Sequence, residues 1–228
     1  MFERLLPLID DKKFQKISNA RILLAGVGGV GGYVLEALVR SGFLNITIVD
    51  GDIINLSNLN RQIIADRTNI GKLKVEEAKE RVFKINESVK LKVIGEFLTE
   101  DNFNNYINED YDYIIDAVDD IKIKILLIKY AKNNGIKIIT CLGTGRKLDP
   151  TKLEITKLNK TFNDPLAKKL RYELKKQELD LNIPVLFSKE EAIKVDNDII
   201  ASAIFVPATA GVYLANYVFR DIINDNGD

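Results

Sequence analysis

GVGGVGG, at residues 26–32, stands between the apolar run RILLA (21–25) and the helical pattern YVLEALVRSG (33–42). A glycine-rich turn that joins a strand to a helix lets the backbone approach phosphate oxygens, and the helix N-terminus adds unpaired N–H groups. The glycines expected to contact a nucleotide are Gly26, Gly28, Gly29 and Gly31. The stretch predicts a nucleotide site, but a turn of this kind does not by itself distinguish NAD from ATP.

Strand and helix patterns alternate around this turn through the first 145 residues. The β-rich runs are RILLAG (21–26), NITIVD (45–50), VKLKVIG (89–95), YDYIIDAV (111–118) and IKIITCLG (136–143), and the helical stretches between them are 30–41, 74–86, 101–107 and 121–134. Such alternation predicts a parallel sheet with helices on both faces. Gly135 is a predicted helix stop. We therefore expect an α/β, Rossmann-like, doubly wound and mostly parallel fold.

The pattern changes after residue 145. Two further strands are predicted at 153–158 and 183–188, and a helix at 164–179 begins with Asp164 as its cap and Pro165 at its first position. A loop at 189–198 and an apolar helix at 206–223 end the chain. The predicted organisation is a nucleotide-binding core at 1–145 and an extension at 146–228 that completes the same domain.

Composition excludes several kinds of chemistry. The 228 residues carry no formal net charge, no histidine and one cysteine, so a His-containing triad, an intrachain disulfide and a cysteine zinc site are all excluded. Cys141 follows an apolar run and is expected to be a core residue. No apolar run approaches the roughly 18 residues of a membrane span. Charged residues directly behind Met1 are unlike a signal peptide, so a cytoplasmic location without membrane contact is expected.

Charged residues beyond the second strand favour ATP over NAD. Arg61 and Lys74 are suited to stabilise the negative charge that moves onto pyrophosphate when a triphosphate is split. DAVDD (116–120) ends the fourth strand and brings Asp119 to the carboxyl edge of the sheet, where ligands bind. A carboxylate there suits Mg²⁺. Asp116 is expected to orient groups around the metal, and Asp119 has the alternative role of capping the helix that follows.

Five elements in this order, GVGGVGG, Asp50, NLNRQ (58–62), GKLK (71–74) and DAVDD, resemble the ATP-binding elements of the ubiquitin-activating-enzyme-like superfamily. The superfamily includes the adenylating enzymes of thiamine and molybdopterin synthesis. The resemblance implies that Asp50 contacts ribose, that Arg61 and Lys74 contact phosphates, and that Asp119 serves magnesium. It also implies a homodimer in which Arg4 reaches the partner's ATP; the alternative is that Arg4 is a solvated terminal residue.

Three further polar residues are candidates for nucleotide binding, each with a structural alternative. They are Asp52, Asn58 and Gln62. Asp52 either helps near the ribose or forms a turn. Asn58 and Gln62 either line the nucleotide or satisfy backbone groups of their own loop.

The C-terminal part carries a second, narrower resemblance. LDPTKLEI (148–155), KTFNDPLAKKLR (160–171), VLFSKE (185–190) and FVPATAG (205–211) resemble the family of tRNA threonylcarbamoyladenosine dehydratases. The resemblance implies ATP-dependent adenylation and then cyclisation of N6-threonylcarbamoyladenosine in tRNA, with net loss of water. The enzyme needs no cysteine, because the second nucleophile belongs to the substrate. The chain is short after VLFSKE, where some relatives carry a longer insertion.

A local excess of positive charge agrees with an RNA partner. Residues 146–176 hold 10 lysines and arginines against 4 acidic residues. A basic stripe is typical of a surface that binds an RNA backbone, although a solvated amphipathic helix has the same composition. The candidate tRNA contacts are Arg146, Lys147, Lys160, Lys168, Lys169 and Arg171.

Three other functions fit parts of the sequence. The first is adenylation of the C-terminal glycine of a small sulfur-carrier protein, against which the missing zinc cysteines and the 160–171 segment count. The second is a non-catalytic scaffold that merely binds a nucleotide, and the third is an NAD oxidoreductase. The sequence does not decide whether a sulfur-relay or redox partner assists the protein.

Overall fold

Among the residues that the structure describes, the sheet that organises the protein has six parallel strands and one antiparallel edge strand. The computed structural model describes residues 1–195 and 200–225. Its strands are β1 (Arg21–Ala25), β2 (Asn45–Val49), β3 (Lys90–Ile94), β4 (Tyr113–Asp116), β5 (Lys137–Cys141), β6 (Leu153–Lys157) and β7 (Pro184–Ser188). Their order in the sheet is β3-β2-β1-β4-β5-β7-β6, with β6 antiparallel to β7. The predicted α/β, doubly wound, mostly parallel fold is confirmed.

The helices cover both faces of this sheet. They are α1 (Asp11–Asn19), α2 (Gly31–Arg40), α3 (Lys74–Ile85), α4 (Phe103–Tyr106), α5 (Ile121–Asn133), α6 (Pro165–Lys176) and α7 (Phe205–Asn224). One core cluster joins α1, α2, α3 and α7 to the sheet, and another joins α5 and α6 to the opposite face. Among the helices of the described residues, none combines the length and apolar character needed to cross a membrane.

Local signals place most elements where the sequence predicts them. The Asp164 carboxylate accepts the Ala167 N–H at 2.9 Å and Pro165 is the first residue of α6, which confirms the predicted start of that helix. Gly135 has a φ of +65° after α5, as expected of a helix stop. Helix α1 is not predicted, because its nine residues are mostly polar and only Ile17 is buried. Residues 196–198 of the predicted 189–198 loop lie outside the described residues.

The C-terminal part contributes to the same sheet. β7 pairs in parallel with β5, with Thr140 opposite Val185 and Cys141 opposite Leu186. The division at residue 145 stays a prediction, since both parts share one sheet. Helix α7 packs against the start of α2 so closely that a Cβ at Gly211 would lie 2.5 Å from the Val30 carbonyl oxygen. The C-terminal helix therefore supports the turn that precedes α2.

A buried ion pair links β4, α5 and β5. The Lys124 Nζ lies 3.1 Å from both carboxylate oxygens of Asp116 and donates to the Cys141 carbonyl oxygen at 2.7 Å, and the side chains of Lys124 and Asp116 are fully buried. Burial raises the pKa of Asp116, an effect that Lys124 opposes. The Cys141 thiol is buried and its pKa is raised by burial to about 12, so Cys141 is a core residue as predicted.

We expect Lys124→Met to lower the free energy of unfolding by about 3–5 kcal/mol, because it leaves the Asp116 carboxylate buried without its partner. Urea denaturation of the purified protein measures the loss. Lys122→Met, at an exposed position of the same helix, is the matched control and should change stability by less than about 0.5 kcal/mol. Equal losses in the two variants would contradict a structural role for the pair.

Candidate nucleotide site

A cavity of about 930 Å³ opens at the carboxyl ends of the parallel strands, where ligands bind in open α/β sheets. Its walls come from the glycine turn, the ends of β2 and β4, the 58–62 segment, the first turn of α3, the loop after β5 and the start of α6. Twelve of the predicted site residues line it: Gly26, Gly28, Gly29, Asp50, Asp52, Asn58, Arg61, Gln62, Lys74, Asp119, Arg146 and Lys147. Residues separated by more than 100 positions thus share one cavity.

The glycine turn lies directly on the end of β4. Gly26 has a φ of +88°, and a Cβ there would lie 2.8 Å from the Ala117 carbonyl oxygen. A Cβ at Gly31 would lie 1.8 Å from the Gly26 carbonyl oxygen, so the first turn of α2 requires glycine for packing. Gly31 itself does not line the cavity, which differs from its expected contact with a nucleotide.

Asp50 joins the end of β2 to the glycine turn. One carboxylate oxygen accepts the Val27 N–H at 2.8 Å and the other accepts the Asp52 N–H at 2.9 Å. Burial raises the pKa of Asp50, while the Lys74 charge and the two N–H donors oppose the shift. The carboxylate holds the turn and lines the cavity at the same time, and its contact with ribose stays a prediction.

Asp52 and Lys74 form an ion pair beside Asp50. The Lys74 Nζ lies 2.6 Å from an Asp52 carboxylate oxygen, and the Lys74 N–H donates to the Asp52 carbonyl oxygen at 2.9 Å. Lys74 is only 5% exposed, so its ammonium is held at the cavity wall instead of moving freely in water. Asp52 therefore positions Lys74, a role that neither alternative from the sequence included.

The 58–62 segment brings an arginine alongside the glycine turn. The Arg61 Nη1 donates to the Ser57 carbonyl oxygen at 2.6 Å and to the Asn60 side-chain oxygen at 3.0 Å. A Cβ at Gly29 would lie 3.6 Å from the Arg61 Cγ, so the arginine stem runs along the turn. Its guanidinium is anchored through one nitrogen, which pre-positions the positive charge at the cavity.

Asn58 and Gln62 differ in how their polar atoms are used. The Asn58 Oδ1 accepts the Asn55 N–H at 3.0 Å, so Asn58 satisfies its own loop, as one alternative proposed. Gln62 is 6% exposed, and its Oε1 accepts no hydrogen bond from the part of the chain that the structure describes. Gln62 therefore lines the cavity while its Oε1 is buried without a hydrogen-bond partner among the described residues.

The loop after β4 separates the roles of its aspartates. Asp120 caps α5, accepting the Lys122 N–H at 2.6 Å and the Ile123 N–H at 3.2 Å, so the alternative role of Asp119 as the cap of this helix is wrong. Asp119 is exposed and lines the cavity. Asp116 is fully buried against Lys124 and lies outside the cavity lining, which does not fit a role around a metal.

The far end of the cavity contains a buried lysine and a buried aspartate. Lys147 is 3% exposed, and its Nζ donates to the carbonyl oxygens of Gly143 at 3.1 Å and Ser188 at 3.3 Å. Asp164 is 5% exposed and accepts the Gly143 N–H at 3.1 Å in addition to capping α6. The sequence shows Asp164 as a cap but gives no signal that it also lines the cavity.

The remaining candidates lie outside the cavity lining. Lys160, Lys168 and Lys169 are exposed on α6 and the turn before it. The Arg171 Nη1 donates to the Thr161 carbonyl oxygen at 3.0 Å, so this arginine is occupied within the protein. Arg4 is exposed near the N-terminus, away from the cavity of its own chain.

Proteins of known name match most of this chain in sequence. A relative from Haemophilus influenzae named tRNA threonylcarbamoyladenosine dehydratase is 45% identical over 161 residues, covering 71% of this chain and 62% of that protein. A relative of the same name from Bacillus subtilis is 32% identical over 234 residues, covering 95% and 92% respectively. The chain thus spans about three fifths of the Haemophilus influenzae relative and nearly all of the Bacillus subtilis one.

Solved structures agree with these sequence matches. The structure of Escherichia coli tRNA N6-threonylcarbamoyladenosine dehydratase in complex with ATP superposes with a TM-score of 0.91 at 35% identity, covering 97% of this chain and 93% of that one. The model of the ThiF family matches residues 2–203. The resemblance inferred from the sequence is confirmed, and the chain belongs to the ThiF family.

Proposed function

We propose that this chain binds ATP and uses it to dehydrate N6-threonylcarbamoyladenosine in tRNA to its cyclic form. The main support for the proposal is one cavity that extends from the glycine turn to the start of α6. Exposed lysines lie on α6 and on the turn before it. The names of the relatives and the ATP bound in the Escherichia coli structure support the same reaction. The reaction belongs to the cytoplasm, where tRNA is used.

Different parts of the cavity wall suit the phosphates and the ribose of ATP. The glycine turn and the start of α2 offer backbone N–H groups to phosphates, and Asp50 lies where ribose hydroxyls would bind. Arg61 and Lys74 are held by neighbouring oxygens before any ligand arrives. Pre-positioned cations stabilise the charge that develops on the leaving pyrophosphate without reorganising in the transition state.

Asp119 suits a magnesium ion that accompanies the nucleotide. Its carboxylate lines the cavity, and no residue within 1–195 and 200–225 donates a hydrogen bond to it. The described residues contain no cluster of three or more potential ligands, so a bound Mg²⁺ would complete its shell with phosphate oxygens and water. Magnesium ordinarily binds in this way, through one or two carboxylates plus substrate phosphates.

The proposed chemistry has two steps. The threonine carboxylate attacks the α-phosphate of ATP and releases pyrophosphate, which gives an acyl adenylate. The carbamoyl group of the same side chain then attacks the activated carbonyl and releases AMP. Proximity within one group contributes several kcal/mol to this second step. The buried, protonated Cys141 takes no part.

The outer face of α6 is the proposed tRNA contact. Lys160, Lys168 and Lys169 are exposed close to the residues of α6 that line the cavity, and Tyr172 on the same helix is 65% exposed. Positive side chains interleaved with an exposed aromatic ring suit a phosphate backbone with unstacked bases. Arg4, exposed and away from its own cavity, is proposed to act in the partner's site of a homodimer. A relay partner is not needed for the two steps.

Arg61→Ala and Asp119→Ala should each lower formation of the cyclic nucleoside by about 10²–10³-fold, because each removes charge stabilisation at the phosphates. The protein is incubated with ATP, Mg²⁺ and tRNA carrying N6-threonylcarbamoyladenosine. The tRNA is then digested and the nucleosides are weighed, the product being lighter by one water.

Matched controls for these variants lie on nearby exposed positions. Arg67→Ala and Asp101→Ala remove the same side-chain types outside the cavity and should retain wild-type rates. If wild-type protein leaves the modified nucleoside unchanged but exchanges pyrophosphate with ATP when given a small sulfur-carrier protein, the proposal is wrong and the carrier-protein alternative is correct.

Replacing both Lys168 and Lys169 by Gln should weaken tRNA binding and reduce its dependence on salt. The slope of log K against log salt should fall by about 1 for each lost phosphate contact. Filter binding at several salt concentrations measures both quantities, and ATP affinity should not change. The control pair Lys12→Gln and Lys84→Gln removes two exposed lysines on α1 and α3, on the other face of the sheet. An equal effect of this pair would contradict a specific α6 surface.

A further inference from the structure

Lys147 is a buried amine in the cavity that the adenylation step does not use. It lies in the loop after β5, at the end opposite the Asp52–Lys74 pair, and its side chain is 3% exposed. Lysines are almost never buried without a partner that balances their charge. No ion pair within the described residues includes Lys147, in contrast to Lys74 and Lys124. The burial of Lys147 without an ion pair therefore requires another explanation.

The hydrogen bonds of Lys147 match a neutral amine. Its Nζ donates to the carbonyl oxygens of Gly143 and Ser188. A neutral amine has two N–H donors and one lone pair, so these two carbonyls satisfy both donors and leave the lone pair available to accept a proton. A charged ammonium would have a third donor, for which no hydrogen bond is formed within the described residues.

Among the residues that the structure describes, three charged or titratable groups act on this amine, and each is hydrogen-bonded elsewhere or protonated. Asp164, from the start of α6, accepts the N–H groups of Gly143 and Ala167. Glu190, after β7, accepts the N–H groups of Leu148 and Asp149. Cys141 is a protonated thiol. Burial lowers the pKa of Lys147, although Asp164 and Glu190 favour its charged form.

The second step of the proposed reaction needs a base. The threonylcarbamoyl group is a urea, and when either its nitrogen or its oxygen attacks the activated carbonyl, one urea N–H proton must leave. The bond from the carbonyl carbon to the attacking atom forms, and the bond to the AMP oxygen breaks with its electron pair on phosphate. Histidine, the usual base for such a transfer, is absent from the sequence.

We propose that Lys147 is the general base of cyclisation, its neutral ε-amine accepting the urea proton as AMP leaves. This inference rests on the proposed function and adds a residue to its second step. Proton transfer by a positioned side chain contributes about 10²–10⁴-fold. The neutral form is the active one, so cyclisation should accelerate as pH rises through the pKa of Lys147 and then level off.

The test separates the two steps in a single turnover, with enzyme in excess over tRNA carrying N6-threonylcarbamoyladenosine. Lys147→Gln should release pyrophosphate within about threefold of the wild-type rate while cyclic product forms about 10²–10⁴-fold more slowly. The acyl adenylate should then accumulate and be trapped by hydroxylamine as a hydroxamate. Lys152→Gln, exposed in the same segment, is the control and should behave as wild type.

Two results would overturn the inference. In the first, Lys147→Gln forms cyclic product as fast as it releases pyrophosphate, which shows that Lys147 is not the base. In the second, pyrophosphate release and product formation slow by the same factor, which assigns Lys147 to adenylation or to positioning.

If Lys147→Gln fails to bind ATP, Lys147→Arg and the wild-type pH profile replace it. Lys147→Arg keeps a cation that cannot deprotonate, so this variant should release pyrophosphate but form little cyclic product. For the wild-type protein, a cyclisation rate that does not change with pH contradicts the inference.

These outcomes are distinct from failure of the proposed function itself. Wild-type protein that releases no pyrophosphate with the modified tRNA contradicts the reaction as a whole. Wild-type protein that forms the cyclic product, together with Lys147→Gln at the same rate, contradicts only the role of Lys147.

Discussion

The close approach of the glycine turn to the end of β4 is the constraint on which the rest of the site depends. No side chain fits at Gly26 or Gly31, where a Cβ would lie 2.8 Å and 1.8 Å from backbone oxygens. Because the turn lies this close, the start of α2 and the loop that carries Asp119 meet at one edge of the sheet. Gly211 extends the same constraint to α7, which packs on the residues before α2. Close backbone contact thus determines the shape of this site, and the charged side chains are positioned on that framework.

The charges are then fixed in pairs around that edge. Asp50 holds the turn, Asp52 holds Lys74, and loop oxygens hold Arg61. Each side chain loses its conformational freedom during folding, so little remains to be lost when a triphosphate binds. The buried Lys124–Asp116 pair has a different role. It holds strands and a helix together and does not face a ligand. All three lysines are buried, but Lys74 and Lys147 line the cavity and Lys124 does not.

The sequence predicted the features that depend on local patterns and missed those that depend on distant contacts. Alternating apolar runs located all seven strands, and Asp164 with Pro165 located the start of α6, because these signals lie within a few residues of what they determine. The alternative that Asp119 caps α5 is off by one residue, because the structure has Asp120 as the cap and helix boundaries are uncertain by a residue or two. The burial of Lys147 depends on Ser188, 41 positions away, and no pattern reports such a contact.

The edge strand β3 bears on how copies of this chain can associate. Lys90 and Lys92 lie two positions apart and therefore on one face of this edge strand, which pairs only with β2 in the described sheet, and Lys92 forms an ion pair with Glu109. An exposed strand edge is a template for pairing with another chain, and lysines on it oppose such pairing by repulsion and by the cost of dehydrating them. Growth of the sheet from one molecule into the next is therefore disfavoured at this edge.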